Sequence, residues 1–234
     1  TTACILQHKL GLRTTCGALD FNLGCSGYIY GLSLAKALIA SNQAKKVLLV
    51  TAETYTKHIN VKDVVNRSIF GDAATATLIE QSDLDNLGEF VLGTDGSGAQ
   101  NLIIKNGGSK YPDKDGSKDD FLYMDGPEIF NFTIKAVPPL VQDILDANGH
   151  SVETIDYFVF HQENEFMLKH LMKKCKIPKE KFHLDIMDYG NTVSSTIPIG
   201  LRQAMKDNIV TNNNIVLLVG FGVGYSYGGT VITI

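Results

Sequence analysis

A chain of 234 residues with 44% hydrophobic content and a formal net charge of −4 reads as a soluble globular protein, long for one compact domain and short for two. The charge excludes a basic nucleic-acid-binding surface, which needs clustered Lys and Arg against phosphates. Apolar runs such as 47–50 and 215–219 are far too short to span a bilayer, and no charged-then-apolar leader is visible, so a cytoplasmic location is expected.

Taken in chain order, the first element is a weak strand over 18–23, followed at once by a helical pattern over 26–39. There Ile29, Leu32, Ala35 and Leu38 recur at helical spacing. Residues 47–51 form a short β-rich apolar run that predicts a strand buried on both faces. A weaker strand is expected over 76–79. The stretch 94–120, rich in Gly, Asp, Ser and Lys, carries the least periodicity and is read as a surface excursion between two halves. Their join falls near 88–98. A helix over 128–147 follows, which Pro138 and Pro139 should kink. Then come a buried strand over 155–160, helices over 163–174 and 198–207, a buried strand over 215–220 and a weak one over 231–234. Strands alternating with helices indicate a layered α/β architecture.

The cysteines Cys4, Cys16, Cys25 and Cys175 include no C-x-x-C pair, so neither a zinc site nor a disulfide framework is expected. Cys25 alone sits where an extended run meets a helix start, in Asn22-Leu23-Gly24-Cys25-Ser26-Gly27. Unpaired N–H groups there favour an anion, lowering the thiol pKa and making a nucleophile. The ordinary alternative is a small buried hydrophobe. His161 closes a buried strand in Phe160-His161-Gln162-Glu163-Asn164, at the sheet edge where α/β proteins place site residues, and could act as acid, base or hydrogen-bond donor. A hydrogen-bonded core histidine is the commoner role for a lone His. Asn191, in Tyr189-Gly190-Asn191-Thr192, is either a turn former or a neutral donor to a substrate carbonyl. The run 220–224 (Gly-Phe-Gly-Val-Gly) follows a strand without a helix or Lys-Ser/Thr after it. That makes a phosphate loop a weak reading and leaves backbone N–H groups free to face an oxyanion.

As an ordered set these motifs are specific. Cys25, His161 and Asn191 in that order resemble the Cys-His-Asn constellation of the ketoacyl-acyl-carrier-protein synthase III family. The 161–164 segment is similar to that family's HQAN motif, 189–192 to its GNT motif, 70–74 (Phe-Gly-Asp-Ala-Ala) to its FGDGA segment, and 220–224 to its terminal glycine run.

The resemblance implies a five-layer αβαβα thiolase-like fold of two pseudo-repeated halves, residues 1–90 carrying the nucleophile and 91–234 the His and Asn, usually as a homodimer. It implies that Cys25 takes an acyl group from acyl-CoA. His161 and Asn191 then hold the thioester carbonyl of malonyl-acyl-carrier protein as it loses carbon dioxide, with the N–H groups of Cys25 and Val223 as oxyanion hole. Neither a metal nor a tightly bound cofactor is implied. Family members carry strands upstream of the nucleophile that are not present in this sequence. The expectation is therefore an incomplete N-terminal half, and a chain poorly soluble or inactive alone. Phe166 stands where the family usually has an arginine implicated in CoA and carrier-protein contact, which puts the usual docking geometry in question. Competing readings are a non-decarboxylating acyltransferase or hydroxymethylglutaryl-CoA-synthase-like enzyme, for which Glu53 would be the carboxylate base, and a non-catalytic scaffold.

Overall fold

The computed structural model describes residues 1–109, 111–114 and 116–234. Helix α1 (Thr2–Lys9) buries none of its residues and leads into an irregular segment that reaches Cys25. Then follow α2 (Gly27–Ala40), β1 (Lys46–Glu53), α3 (Val64–Ile69), β2 (Ala73–Glu80), β3 (Val91–Thr94), β4 (Leu102–Ile103), β5 (Tyr123–Met124) and α4 (Gly126–Ala147). The chain closes with β6 (Tyr157–Phe160), α5 (Glu165–Lys174), α6 (Ile186–Tyr189), α7 (Thr196–Lys206), β7 (Ile215–Gly222) and β8 (Ser226–Thr233).

A four-stranded sheet in the order β3-β8-β7-β6 forms the centre, with β6 parallel to β7 and the other pairs antiparallel. Strands β6 and β7 are buried on both faces because helices cover both. Phe158, Phe160, Leu217, Val219 and Phe221 pack against Val137, Leu140 and Ile144 of α4 and Leu168 and Leu171 of α5. The alternate residues Tyr157, Val159, Val216 and Leu218 pack against Ile29 and Leu32 of α2 and Ile197 and Ala204 of α7. This is the period-2 alternation of a strand serving two cores at once. Leu49 and Ile79, from the β1–β2 pair, join the second of these cores. The layer order is therefore helix, sheet, helix, sheet, the order expected of the αβαβα arrangement.

Helix α4 runs as one continuous element through Pro138 and Pro139, the expected kink point. Its buried positions Ile129, Thr133, Val137, Leu140, Val141 and Ile144 keep a single apolar face toward the sheet.

Three expectations are corrected. No strand forms over 18–23: the segment is largely exposed, and β1, the nearest strand in sequence, is paired with β2 alone among the described residues. A strand exists only where a ladder partner satisfies its backbone. The 47–51 run is buried on one face only, with Leu48 44%, Val50 38% and, across the pair, Leu78 57% exposed. The stretch 94–120 is more than a surface excursion, for it contains β3's last residue and β4 and buries Gly98, Leu102 and Asp120. Positions 110 and 115 of that stretch lie outside the described residues.

Candidate active site

Cys25 lies two residues ahead of α2, before the N-cap Ser26, and is 5% exposed. The tip of the β7–β8 hairpin is laid against it. Gly222 has φ +150, and a Cβ there would stand 2.7 Å from the Cys25 Sγ, so only glycine permits this approach. The tip is fastened by two hydroxyls. Ser226 Oγ donates to the Val223 carbonyl at 2.8 Å, which leaves Ser26 Oγ to donate to Ser226 Oγ at 2.6 Å. The Val223 N–H and the amide of Cys25 itself are thereby turned toward the sulfur, where they favour negative charge.

The sequence predicts a lowered thiol pKa at Cys25, and the structure reverses that expectation for the unliganded site. Burial pushes the thiol up to about 12, the carboxyls of Glu163 and Glu53 add to the rise, and the Val223 N–H offsets it only in part. Desolvation of a fully enclosed anion outweighs the fractional charge of a helix end. Cys4 and Cys16 are exposed and Cys175 is half-buried, with its thiol also pushed up to about 12 by burial.

His161 follows β6, is fully buried, and meets the Phe221 ring edge-on at 5.5 Å. Its Nδ1 lies 2.7 Å from Thr196 Oγ1, and Thr196 Oγ1 lies 3.1 Å from the Val193 carbonyl, which it can serve only as donor. With the Thr196 proton on Val193, the hydroxyl accepts from Nδ1–H and Nε2 carries a lone pair. With the Thr196 hydroxyl turned to donate to Nδ1, the pair instead suits the tautomer in which Nε2 carries the proton and is the N–H donor. Nε2 is buried without a partner. Burial pushes the imidazole down to about 3, so both states are neutral.

Asn191 is 2% exposed, and its backbone bridges to Phe70: the Asn191 N–H donates to the Ile69 carbonyl at 2.8 Å and Gly71 N–H to the Asn191 carbonyl at 3.0 Å. The two segments interlock because both carry glycine. Gly190 has φ +66, and a Cβ there would stand 2.7 Å from the Ile69 carbonyl oxygen. The Asn191 Oδ1 accepts from the Val193 N–H at 2.9 Å. That fixes the amide orientation and leaves Nδ2 as the outward donor.

Val193 joins the three. Its side chain packs in one cluster with Cys25 and Tyr225, its carbonyl faces His161 and Thr196, and its N–H holds Asn191. It does this at φ +55, a left-handed conformation that a β-branched residue adopts only under strain, of the kind that clusters at functional sites.

Two carboxyls stand near Cys25. Glu53 ends β1 and accepts from Ser194 Oγ at 2.6 Å, with its pKa raised chiefly by burial. Glu163 has its Oε2 shielded and unpartnered, and burial pushes it to about 7. It was not among the residues singled out by sequence. The available signal was its place at the third position of an otherwise HQAN-like motif. Asn164, next in that motif, caps α5 through an Oδ1 that accepts from the Met167 N–H at 2.8 Å. Phe166 is 71% exposed on α5 and stacks on Phe130 at 5.7 Å.

With this geometry in hand, comparison with known proteins is informative. The model of the 3-oxoacyl-[acyl-carrier-protein] synthase III family matches residues 19–96. The model of that family's C-terminal part matches residues 145–234. A beta-ketoacyl-[acyl-carrier-protein] synthase III of Clostridium perfringens is 35% identical over 99% of this chain and 72% of its own length. The chain belongs to the ketoacyl-acyl-carrier-protein synthase III family. The synthase III relative of Syntrophomonas wolfei is likewise 35% identical, over 99% of this chain and 71% of its own. Among solved structures, a 3-oxoacyl-(acyl-carrier-protein) synthase III at 45% identity superposes with a TM-score of 0.96, covering all of this chain and 74% of the other. A 3-oxoacyl-(acyl-carrier protein) synthase from Burkholderia xenovorans LB400 at 43% identity gives 0.95, over all of this chain and 69% of the other. The fold is thus thiolase-like, as these synthase III neighbours are.

Proposed function

We propose that the chain carries out the family's reaction: an acyl primer is loaded from acyl-CoA onto Cys25, and the acyl-enzyme is condensed with malonyl-acyl-carrier protein with loss of carbon dioxide. The observation that carries this is the shared anchorage of Cys25, His161 and Asn191 on the strained residue Val193. In this reading the Cys25 thiol attacks the primer thioester, the acyl carbon's bond to the CoA sulfur breaks, and CoA leaves as the thiol carrying the Cys25 proton, while the N–H groups of Cys25 and Val223 receive the negative charge on the carbonyl oxygen. Each such preorganised donor contributes about 3 kcal/mol to lowering the barrier. Asn191 Nδ2 and, in its Nε2–H state, His161 donate to the malonyl thioester oxygen. Its charge develops only as carbon dioxide leaves, so these bonds strengthen in the transition state. The carbanion then displaces the Cys25 sulfur from the acyl carbon, giving a β-ketoacyl product.

The alternative using Glu53 as base is not favoured, because Ser194 already occupies that carboxyl. We read residues 1–90 and 91–234 as the two thiolase-like halves, acting as a cytoplasmic homodimer. No helix among the described residues is long and apolar enough to cross a membrane. Carrier-protein docking would present Phe166 rather than an arginine.

Mass spectrometry after exposure to a panel of acyl-CoAs tests the assignment. One acyl mass is expected on the peptide holding Cys25, released as β-ketoacyl product on adding malonyl-acyl-carrier protein. Label on Cys16 or Cys175 would overturn it.

A further inference from the structure

A cavity of about 400 Å³ opens beside Asn191, walled by Val65, Ile69, Met124, Phe130 and Met167. Glu163 enters it from the segment between β6 and α5, and is the one titratable side chain among the described residues that line it. The α3 wall consists of Val65 and Ile69 and the α4 wall includes Phe130 and Asn131, so neither helix presents a charge to the cavity. Arg67 of α3 is turned to the Val61 carbonyl, and Glu128 of α4 is exposed. On α5, Glu165 is paired with Lys169 and His170 meets the Phe130 ring; Asp125 caps α4; and deeper in lie His161, bound to Thr196, and Cys25 with Glu53 near it. Among the described residues the Oε2 of Glu163 is buried without a hydrogen-bond partner, and burial is the cause that raises this carboxyl.

A carboxyl so placed acts on its ligand differently in its two protonation states. Protonated, it is a hydrogen-bond donor in an apolar wall. Ionised, it sets an uncompensated negative charge in a low-dielectric space, where repulsion of a second anion is far stronger than in water. We propose that Glu163 is a specificity-determining residue that reads ligand charge in this cavity: protonated it admits and hydrogen-bonds the anionic malonyl group, and ionised it repels that group while still admitting a neutral acyl thioester. This rests on the condensing function proposed above.

The two substrates differ in the required way, since the malonyl carboxyl is ionised throughout the neutral range and a simple acyl thioester has no charge at its reacting end. If only the protonated form binds the extender, the apparent affinity falls with the protonated fraction. For a carboxyl titrating at about 7, the KM for malonyl-acyl-carrier protein then rises about tenfold from about pH 6 to about pH 8.

The test measures the KM of the enzyme for acyl-CoA and for malonyl-acyl-carrier protein across this range, in the wild type, Glu163→Gln and Glu163→Ala. The expected result is a rising malonyl KM in the wild type alone, with a flat acyl-CoA KM in all three. Gln, which keeps a donor, should hold the lower malonyl KM of the two variants, and Ala supplies the same flat profile should Gln fold poorly. A rise retained in both variants, or an acyl-CoA KM that climbs in parallel, overturns the proposal alone. A wild type that never releases carbon dioxide from the malonyl thioester at any pH overturns the condensing function and the proposal with it.

Discussion

Asn191 is oriented by the hydrogen bond from the Val193 N–H to Oδ1, which leaves its Nδ2 as the outward donor that the proposed mechanism uses. Replacing it with Ala should spare acylation of Cys25, because the sulfur depends on burial and on the Val223 and Cys25 amides rather than on Asn191. Malonyl decarboxylation should fall by about 10²–10³-fold, the usual loss for one such donor. Asn191→Asp should be worse, since its charge opposes the enolate. Intact-protein mass spectrometry for loading and release of labelled carbon dioxide for decarboxylation separate the two steps, and an equal loss of both would make Asn191 a turn residue only. In the proposed mechanism Thr196 acts as a positioning residue through His161. Thr196→Val removes the hydroxyl that supports the Nε2–H tautomer by donating to Nδ1, so decarboxylation should drop by about tenfold, in line with the cost of losing a group that orients a functional side chain. Thr196→Ser, keeping the hydroxyl, should restore most of it, a rescue that a packing defect would not show.

At the scale of elements, the site is assembled where the 69–71 and 189–191 segments interlock. Gly190→Ala would place a Cβ 2.7 Å from the Ile69 carbonyl oxygen at a φ of +66. It should cost about 1–3 kcal/mol, the range for a non-glycine residue forced into such a conformation. Urea unfolding with an unchanged m-value would report it. Helix α5 depends on burial rather than on caps alone. Leu168 is fully enclosed between α4 and the central sheet, and Leu168→Ala should cost about 2–5 kcal/mol by leaving a cavity there. A loss below about 1 kcal/mol would show that α5 relaxes to fill the space. Most elements were legible in sequence for the same reason that they are stable. α2, α4, β6 and β7 each carry an uninterrupted apolar pattern, and all four formed within a few residues of the expected bounds. Segment 18–23 failed because its β character had no neighbouring ladder to satisfy it, a matter that no local pattern encodes.

For the molecule as a whole, the buried titratable groups set opposing trends of stability with pH. His161 and His183 are pushed down by burial to about 3 and about 4 from an ordinary value of 6.5. The unfolded chain therefore binds more protons than the native one as pH falls below 6.5, and stability is lost in that window. Glu163, raised to about 7 from 4.5, has the opposite sign: the native state binds the extra proton, and its contribution fades as pH rises from 4.5 through 7. Cys25, raised to about 12 from 9.0, lowers stability as pH rises above 9. The two large histidine shifts outweigh the raised Glu163 together with the smaller rises at Glu53 and Asp185, and leave a net loss on acidification. The urea midpoint should fall from about pH 6.5 to about pH 4, and the fall should be shallower in His183→Asn than in the wild type. Equal slopes would mean that His183 titrates alike in both states.

The sequence by itself determined the layered α/β class, the principal helices and strands, and the ordered Cys25, His161 and Asn191 motifs. These depend on periodicity and on short local patterns, which a chain displays whether or not it is folded. Tertiary structure alone decided the charge states at the site. Cys25 has a helix start beside it, which locally favours a thiolate, yet enclosure by the β7–β8 tip pushes its thiol up. Glu163 is an ordinary acidic residue in sequence, and only packing in the folded chain leaves its Oε2 buried, among the described residues, without a hydrogen-bond partner. Desolvation is a property of everything packed around a group, drawn here from segments far apart in the chain, and so it emerges only when the fold brings them together.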